Sequence, residues 1–126
     1  MQTATLRKGV AAALAATGAL HLILAPEYLG EQAYIGGLFI LGGLASMGLA
    51  SFIWQRDDAR ALAAGALTAL AMGVGFVLSR TTGLPGFHEG EWEASGLLSL
   101  LLEAFVVFGA AQLLRGTDVR SSLARG

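Results

Sequence analysis

Long apolar stretches alternate with short polar connections along the whole chain. Gly9–Ala25, Ala33–Trp54, Ala61–Ser79 and Ala94–Leu114 run for 17 to 22 residues each, and Glu103 is their one acidic or basic residue. About 20 apolar residues at a helical rise of about 1.5 Å span the hydrocarbon of a bilayer. Each stretch therefore predicts a membrane-crossing helix. The expected architecture is all-α: one domain over residues 1–126, folded as a four-helix transmembrane bundle.

Only 13% of the residues are charged, about half the share of an ordinary soluble domain, and their placement predicts an orientation. Arg7, Lys8, Arg56, Arg60, Arg115, Arg120 and Arg125 fall on one side of the predicted membrane, seven of the eight basic residues. Arg80 stands alone on the other side with Glu27, Glu31, Glu89, Glu91 and Glu93. Basic residues near span ends stay cytoplasmic, so both termini are expected there, in a bacterial plasma (inner) membrane. Tyr28, Tyr34, Phe87 and Trp92 then lie at the outer boundary and Trp54 at the inner one, the level that amphipathic rings prefer. Arg7 and Lys8 before an Ala-rich run also suit a cleaved signal peptide. Hydrophobicity continues to Ala25, however, and removal would leave three spans of the wrong charge parity.

The composition narrows function. The chain has no Cys, which excludes thiol nucleophiles, disulfide relays and cysteine metal sites. A net charge of -1 without a basic cluster argues against nucleic acid as a partner. There is no Gly-rich phosphate loop followed by Lys. The connections leave no room for a soluble catalytic domain, so an enzyme is not expected. The lipid bilayer is the expected partner.

In lipid, helices are held by close approach and polar contacts rather than by hydrophobic drive. Small residues recur every four positions as Ala61, Gly65, Ala69 and Gly73, as Gly42, Ser46 and Ala50, and as Ala11, Ala15 and Ala19. Such spacing places each set on one helix face, which predicts packing seams. The fourth span is bulkier and is expected to show more surface to lipid or to a partner.

Glu103, near the middle of that span, is the leading candidate for function, because a carboxylate at mid-bilayer costs about 3 kcal/mol. It falls roughly 15 Å below the outer boundary, Thr17 roughly 12 Å, and Thr68 and Ser46 roughly 16–20 Å, so these hydroxyls are expected partners. His21 lies four residues after Thr17 on the same face. His88, Glu27, Glu31 and Glu91 join it on the outer side as candidate metal ligands, since imidazole with carboxylate suits Zn²⁺ or Cu²⁺, although the spacing matches no defined metal motif. Glu91 and Glu93 are expected in the first turn of the fourth helix, complementing its dipole. Pro85-Gly86 fits the centre of a type II turn. Pro26 is expected to end the first span, with Glu27–Glu31 as an interfacial turn. Arg80 is expected to clamp an outer carboxylate such as Glu27, Glu31 or Glu91.

His21 with Ala25-Pro26-Glu27-Tyr28, a Gly-rich second span, Ser79-Arg80-Thr81-Thr82-Gly83-Leu84-Pro85 and a Glu in the last span together resemble a set of small four-helix bacterial membrane proteins. The layout is more distantly similar to DoxX-like proteins. The resemblance implies architecture and carries no activity. Small multidrug transporters resemble the chain poorly, because their essential Glu belongs in the first span.

Three functions fit these features. The first is a non-catalytic subunit or assembly partner of a larger membrane complex. The second is a proton- or cation-coupled transporter or channel centred on Glu103, working as a homo-oligomer. The third is an outer-face metal- or haem-binding protein using His21 and His88. Only the third requires a cofactor.

Overall fold

A computed structural model describes residues 3–125, with side chains described through Gly116. Four helices follow one another: α1 (Thr3–Glu31), α2 (Ala33–Gln55), α3 (Ala59–Arg80) and α4 (Ala94–Arg125). All four are long and apolar enough to cross a membrane. The protein is an all-α four-helix bundle whose composition fits a lipid-embedded chain.

α1 does not stop at Pro26 but continues to Glu31, with proline inside the helix. Proline removes one backbone N–H and crowds the preceding turn, yet in an apolar environment the remaining backbone groups have no better partner than the helix itself. The break comes at Gln32, whose extended backbone opens α2 while its N–H donates to the Tyr28 carbonyl at 2.8 Å. α4 likewise begins later than the acidic pattern suggested. Glu91 and Glu93 precede it, and the Glu93 carbonyl accepts the N–H of Leu97 at 3.0 Å. The carboxylates are thus outside the first turn, because Glu93 turns its side chain to a cation described below.

The two halves of the bundle are built differently. In the half nearest the N-terminus, Val10, Leu14, Ile53, Leu62 and Val106 interlock as a closed apolar core. Arg7 donates to the Ile53 and Trp54 carbonyls at 2.6 and 2.9 Å, covering the open carbonyls at the end of α2, while Lys8 lies over the Trp54 ring. Here the two ends of the α1–α2 hairpin and the start of α3 gather the basic residues Arg7, Lys8, Arg56 and Arg60. The side chains of Asp118, Arg120 and Arg125 lie outside the described residues.

The small-residue seam on α3 is buried throughout, at Ala61, Gly65, Ala69 and Gly73. A Cβ at Gly65 would stand 3.0 Å from Ile53 Cδ1 and 3.1 Å from Leu14 Cδ2. The other two stripes are buried in part: Ala11, Ser46 and Ala50 are buried, and Ala15, Ala19 and Gly42 half-buried. α1 crosses α2 at Gly18 and Gly43. A Cβ at Gly18 would meet the Ser46 Cβ at 2.9 Å and the Gly43 carbonyl at 3.1 Å. Gly42, one residue earlier, is turned toward Met72 of α3. On α4, Leu97, Leu101, Phe105 and Phe108 are exposed, Phe108 at 74%.

Candidate functional site

In the outer half the helices stand apart around a cavity of about 370 Å³. α2 packs chiefly on α1 and α3 on α4, and of the four neighbouring pairs α2 and α3 touch least. The cavity lies in that gap, where Leu38, Leu41 and Ala45 of α2 face Ala71, Met72 and Gly75 of α3 across it. Leu41 is 66% exposed, so the opening faces the surface that lipid would cover.

At the inner end of the cavity lies Glu103, 3% exposed. Thr17 Oγ1 lies 2.7 Å from its Oε2 and Ser99 Oγ 2.6 Å from the same atom, both at hydrogen-bond distance. The two hydroxyls are themselves 2.6 Å apart, so three oxygens form a closed triangle joining α1 to α4. The second carboxyl oxygen, Oε1, is buried with no hydrogen-bond partner among the described residues. It points toward α3, where a Cβ at Gly73 would lie 3.5 Å away. The expected Thr17 contact is present. The other two hydroxyls are not brought to Glu103: Thr68 donates to the Ala64 carbonyl of its own helix at 2.8 Å, and Ser46 lies 3.8 Å from Met72 Sδ. Thr68 satisfies itself within its own helix, as helical Ser and Thr readily do, whereas Ser46 reaches across to α3. Thr68 still lines the cavity wall.

His21 also lines the cavity. Its Nδ1 is 2.8 Å from the Thr17 carbonyl, and a carbonyl only accepts, so Nδ1 carries a proton. Nε2 of the neutral ring is then an acceptor, and it has no hydrogen bond among the described residues. A column of rings continues outward from it. Phe39 lies 4.8 Å from His21, Tyr28 stacks on Phe39 at 4.4 Å, and Phe87 meets Tyr28 edge-on at 5.7 Å.

Arg80 closes the outer end. Its Nη2 donates to Glu93 Oε1 at 2.6 Å and to the Tyr28 hydroxyl at 3.1 Å, Nη1 to Ser79 Oγ at 2.8 Å, and Nε to the Glu91 carbonyl at 3.0 Å. The guanidinium lies over the Phe76 ring, 4.4 Å from its centroid. The clamp is therefore to Glu93, not to Glu27, Glu31 or the Glu91 carboxylate. Glu27, Glu31 and Glu91 are exposed, whereas Glu93 starts α4 directly beside the end of α3. The 81–93 connection folds over the cavity. Pro85-Gly86 forms the expected turn, with Gly86 at φ 66° and the Phe87 N–H on the Leu84 carbonyl at 2.9 Å. Gln32 donates to the Gly86 carbonyl at 3.1 Å and Tyr34 to that of Pro85, which holds the loop on the α1–α2 junction.

The proposed outer metal cluster does not converge. Among the described residues no three His, Asp or Glu side chains are placed to hold one ion. His21 faces the interior on Phe39, while His88 is exposed and donates from Nε2 to the Thr81 carbonyl at 3.0 Å.

Ser99 and Glu93 were missed as site residues. Ser99 precedes Glu103 by four positions, a spacing that puts both on one helix face, so that signal was available. Glu93 carried none that separates it from its acidic neighbours. No protein-family model matches the chain, and no curated protein or solved structure matches it.

Proposed function

We propose that this protein holds a lipophilic small molecule inside the bilayer, as a non-enzymatic binding protein or carrier of the plasma membrane, with both termini cytoplasmic and Glu103 as the polar centre of the site. The observation that carries the reading is a mostly apolar cavity, open toward lipid, with a buried carboxyl at its floor. Its volume lies within the range of small-molecule pockets, and such pockets combine apolar walls with a few placed polar groups. Intramembrane carboxyls, moreover, face functional interiors by default.

The reading as a subunit of a larger complex rests on the exposed face of Leu97, Leu101, Phe105 and Phe108. Lipid satisfies that face as well as a protein partner would. A blue-native gel of solubilised membranes separates the two: a small species supports the carrier, and a large stable complex the subunit.

Gly75 supplies the decisive variant. It lines the cavity, and a Cβ there would meet nothing within 4 Å. Gly75→Phe should fill the cavity without disturbing the fold. Gly48, equally open but away from the cavity, is the control. Native mass spectrometry of protein released from membranes should show a small-molecule adduct on wild type and Gly48→Phe, absent from Gly75→Phe. An adduct-free wild type, or one indifferent to Gly75→Phe, overturns the proposal.

A further inference from the structure

The polar atoms of the cavity specify more than its size. Three oxygens in a triangle make three contacts, and the two hydroxyls of Thr17 and Ser99 supply two protons. If both protons pointed to a carboxylate, the 2.6 Å contact between the hydroxyls would hold none, and two lone pairs would face each other at hydrogen-bond distance. A proton on Oε2 removes the conflict. The carboxyl O–H then donates to one hydroxyl, that hydroxyl to the other, and the last back to Oε2, a closed head-to-tail ring. Such a ring is uncharged, as its place in hydrocarbon requires.

Two acceptors are left over. With its proton committed to the ring through Oε2, Glu103 presents Oε1 as a carbonyl oxygen, buried and unpartnered. His21, with Nδ1–H held by the Thr17 carbonyl, presents the lone pair of Nε2. Both residues belong to the lining of one cavity, one turn apart in depth because His21 follows Thr17, the partner of Glu103, by four residues on α1. The walls between them and the α2–α3 opening are Leu20, Leu24, Leu38, Leu41 and Met72. A buried acceptor without a donor is costly, so the molecule that completes this site brings one.

Resting on the reading of the cavity as a ligand site, we propose that its ligand is a neutral apolar molecule carrying a hydroxyl group, which enters between α2 and α3 and donates that hydroxyl to Glu103 and His21. A cation is the wrong complement. The ring is neutral, and the guanidinium of Arg80 lines the opposite end of the same cavity. A carboxylate or phosphate is also wrong, because the inner polar atoms are acceptors. The reach suits a chain of isoprenoid length: Glu93, just before α4, and Glu103 within it mark the two ends and are ten residues apart, about 15 Å at a helical rise.

Three matched probes test this on the purified full chain in nanodiscs: farnesol, its methyl ether, and the corresponding primary amine in its protonated form. The alcohol donates, the ether only accepts, and the amine is a cation. Farnesol is expected to bind at least tenfold more tightly than either of the others, by titration calorimetry, and Gly75→Phe to abolish its binding. His21→Phe should reduce the preference for alcohol over ether at least threefold. Ether binding equal to alcohol, both lost in Gly75→Phe, overturns the hydroxyl assignment and leaves the cavity reading standing. A tenfold preference for the amine overturns it in favour of an ionised Glu103. Binding of none of the three, together with no adduct on the protein from membranes, overturns the cavity reading itself.

Discussion

Arg80 Nη2 and Glu93 Oε1 meet at 2.6 Å across the 81–93 connection, tying the end of α3 to the start of α4. The Arg80 side chain is 4% exposed and that of Glu93 30%, so one partner is sunk in the protein and the other reaches its surface. The pair holds the loop over the cavity, and the Tyr28 hydroxyl shares the same nitrogen.

Removing the cation should therefore loosen the cover of the site. Arg80→Met is expected to cost about 1.5–3 kcal/mol, the scale of hydrogen bonds to a charged group, measured as a lower melting temperature in detergent. Glu93→Gln, which keeps an acceptor, should cost less than half as much. Equal melting of wild type and Arg80→Met would show that the clamp contributes nothing.

Packing makes a graded prediction for the glycines. Gly65→Leu and Gly18→Ala place carbon against neighbours at 3.1 Å or less, and overpacking of this kind typically costs about 1–3 kcal/mol. Gly37→Ala and Gly48→Ala enter open space and should melt within about 0.5 kcal/mol of wild type. If all four behave alike, the seams are not tight interfaces.

The triangle of Thr17, Ser99 and Glu103 should behave as one unit. Thr17→Val and Ser99→Ala are expected to be non-additive by at least about 0.5 kcal/mol in a double-mutant cycle, as residues sharing one hydrogen-bond network are. Infrared spectra should carry a protonated-carboxyl band that Glu103→Gln removes while the fold is retained. Additive substitutions, or a spectrum unchanged by Glu103→Gln, would dismantle the ring.

Orientation is checked by reporters. Fusions at the C-terminus should report cytoplasm, and an insertion at Gly90 should report the opposite side. A periplasmic C-terminus would reverse the charge argument.

The number of helices, their apolar bodies and the α3 seam were legible because each is a repeating signal: length, hydropathy and a four-residue period act over many positions at once. Helix ends were less legible. Pro26 reads as a stop by local rules, but a membrane helix retains its hydrogen bonds past proline when nothing competes for them. The α1–α2 crossing at Gly18 and Gly43 was not legible, because the adjacent Gly42 and Gly43 give the pattern no means of choosing between them. At the site, depth alone brought Thr17 to Glu103, yet depth could not separate Thr17 from Thr68. That distinction depends on helix rotation, which 3.6-residue periodicity fixes only when the apolar face is asymmetric, and these helices are apolar nearly all round. The cavity left no trace in the sequence, since a gap between helices is a property of their spacing rather than of any residue.

The oxygen triangle has a consequence for how the chain is made. Its other members stand 82 and 86 positions from Thr17, so the triangle joins the first helix of the chain to the last, and in N-to-C synthesis α1 is made first. Thr17 can wait in lipid at little cost, since a lone hydroxyl bonds back to its own helix. Glu103 cannot wait so easily, and it arrives in the final span beside Ser99, when α1 is already in place. The expensive residue is inserted only once its partners exist, so a chain that stops before α4 carries no stranded carboxyl, and a complete one gains a polar latch between its two ends.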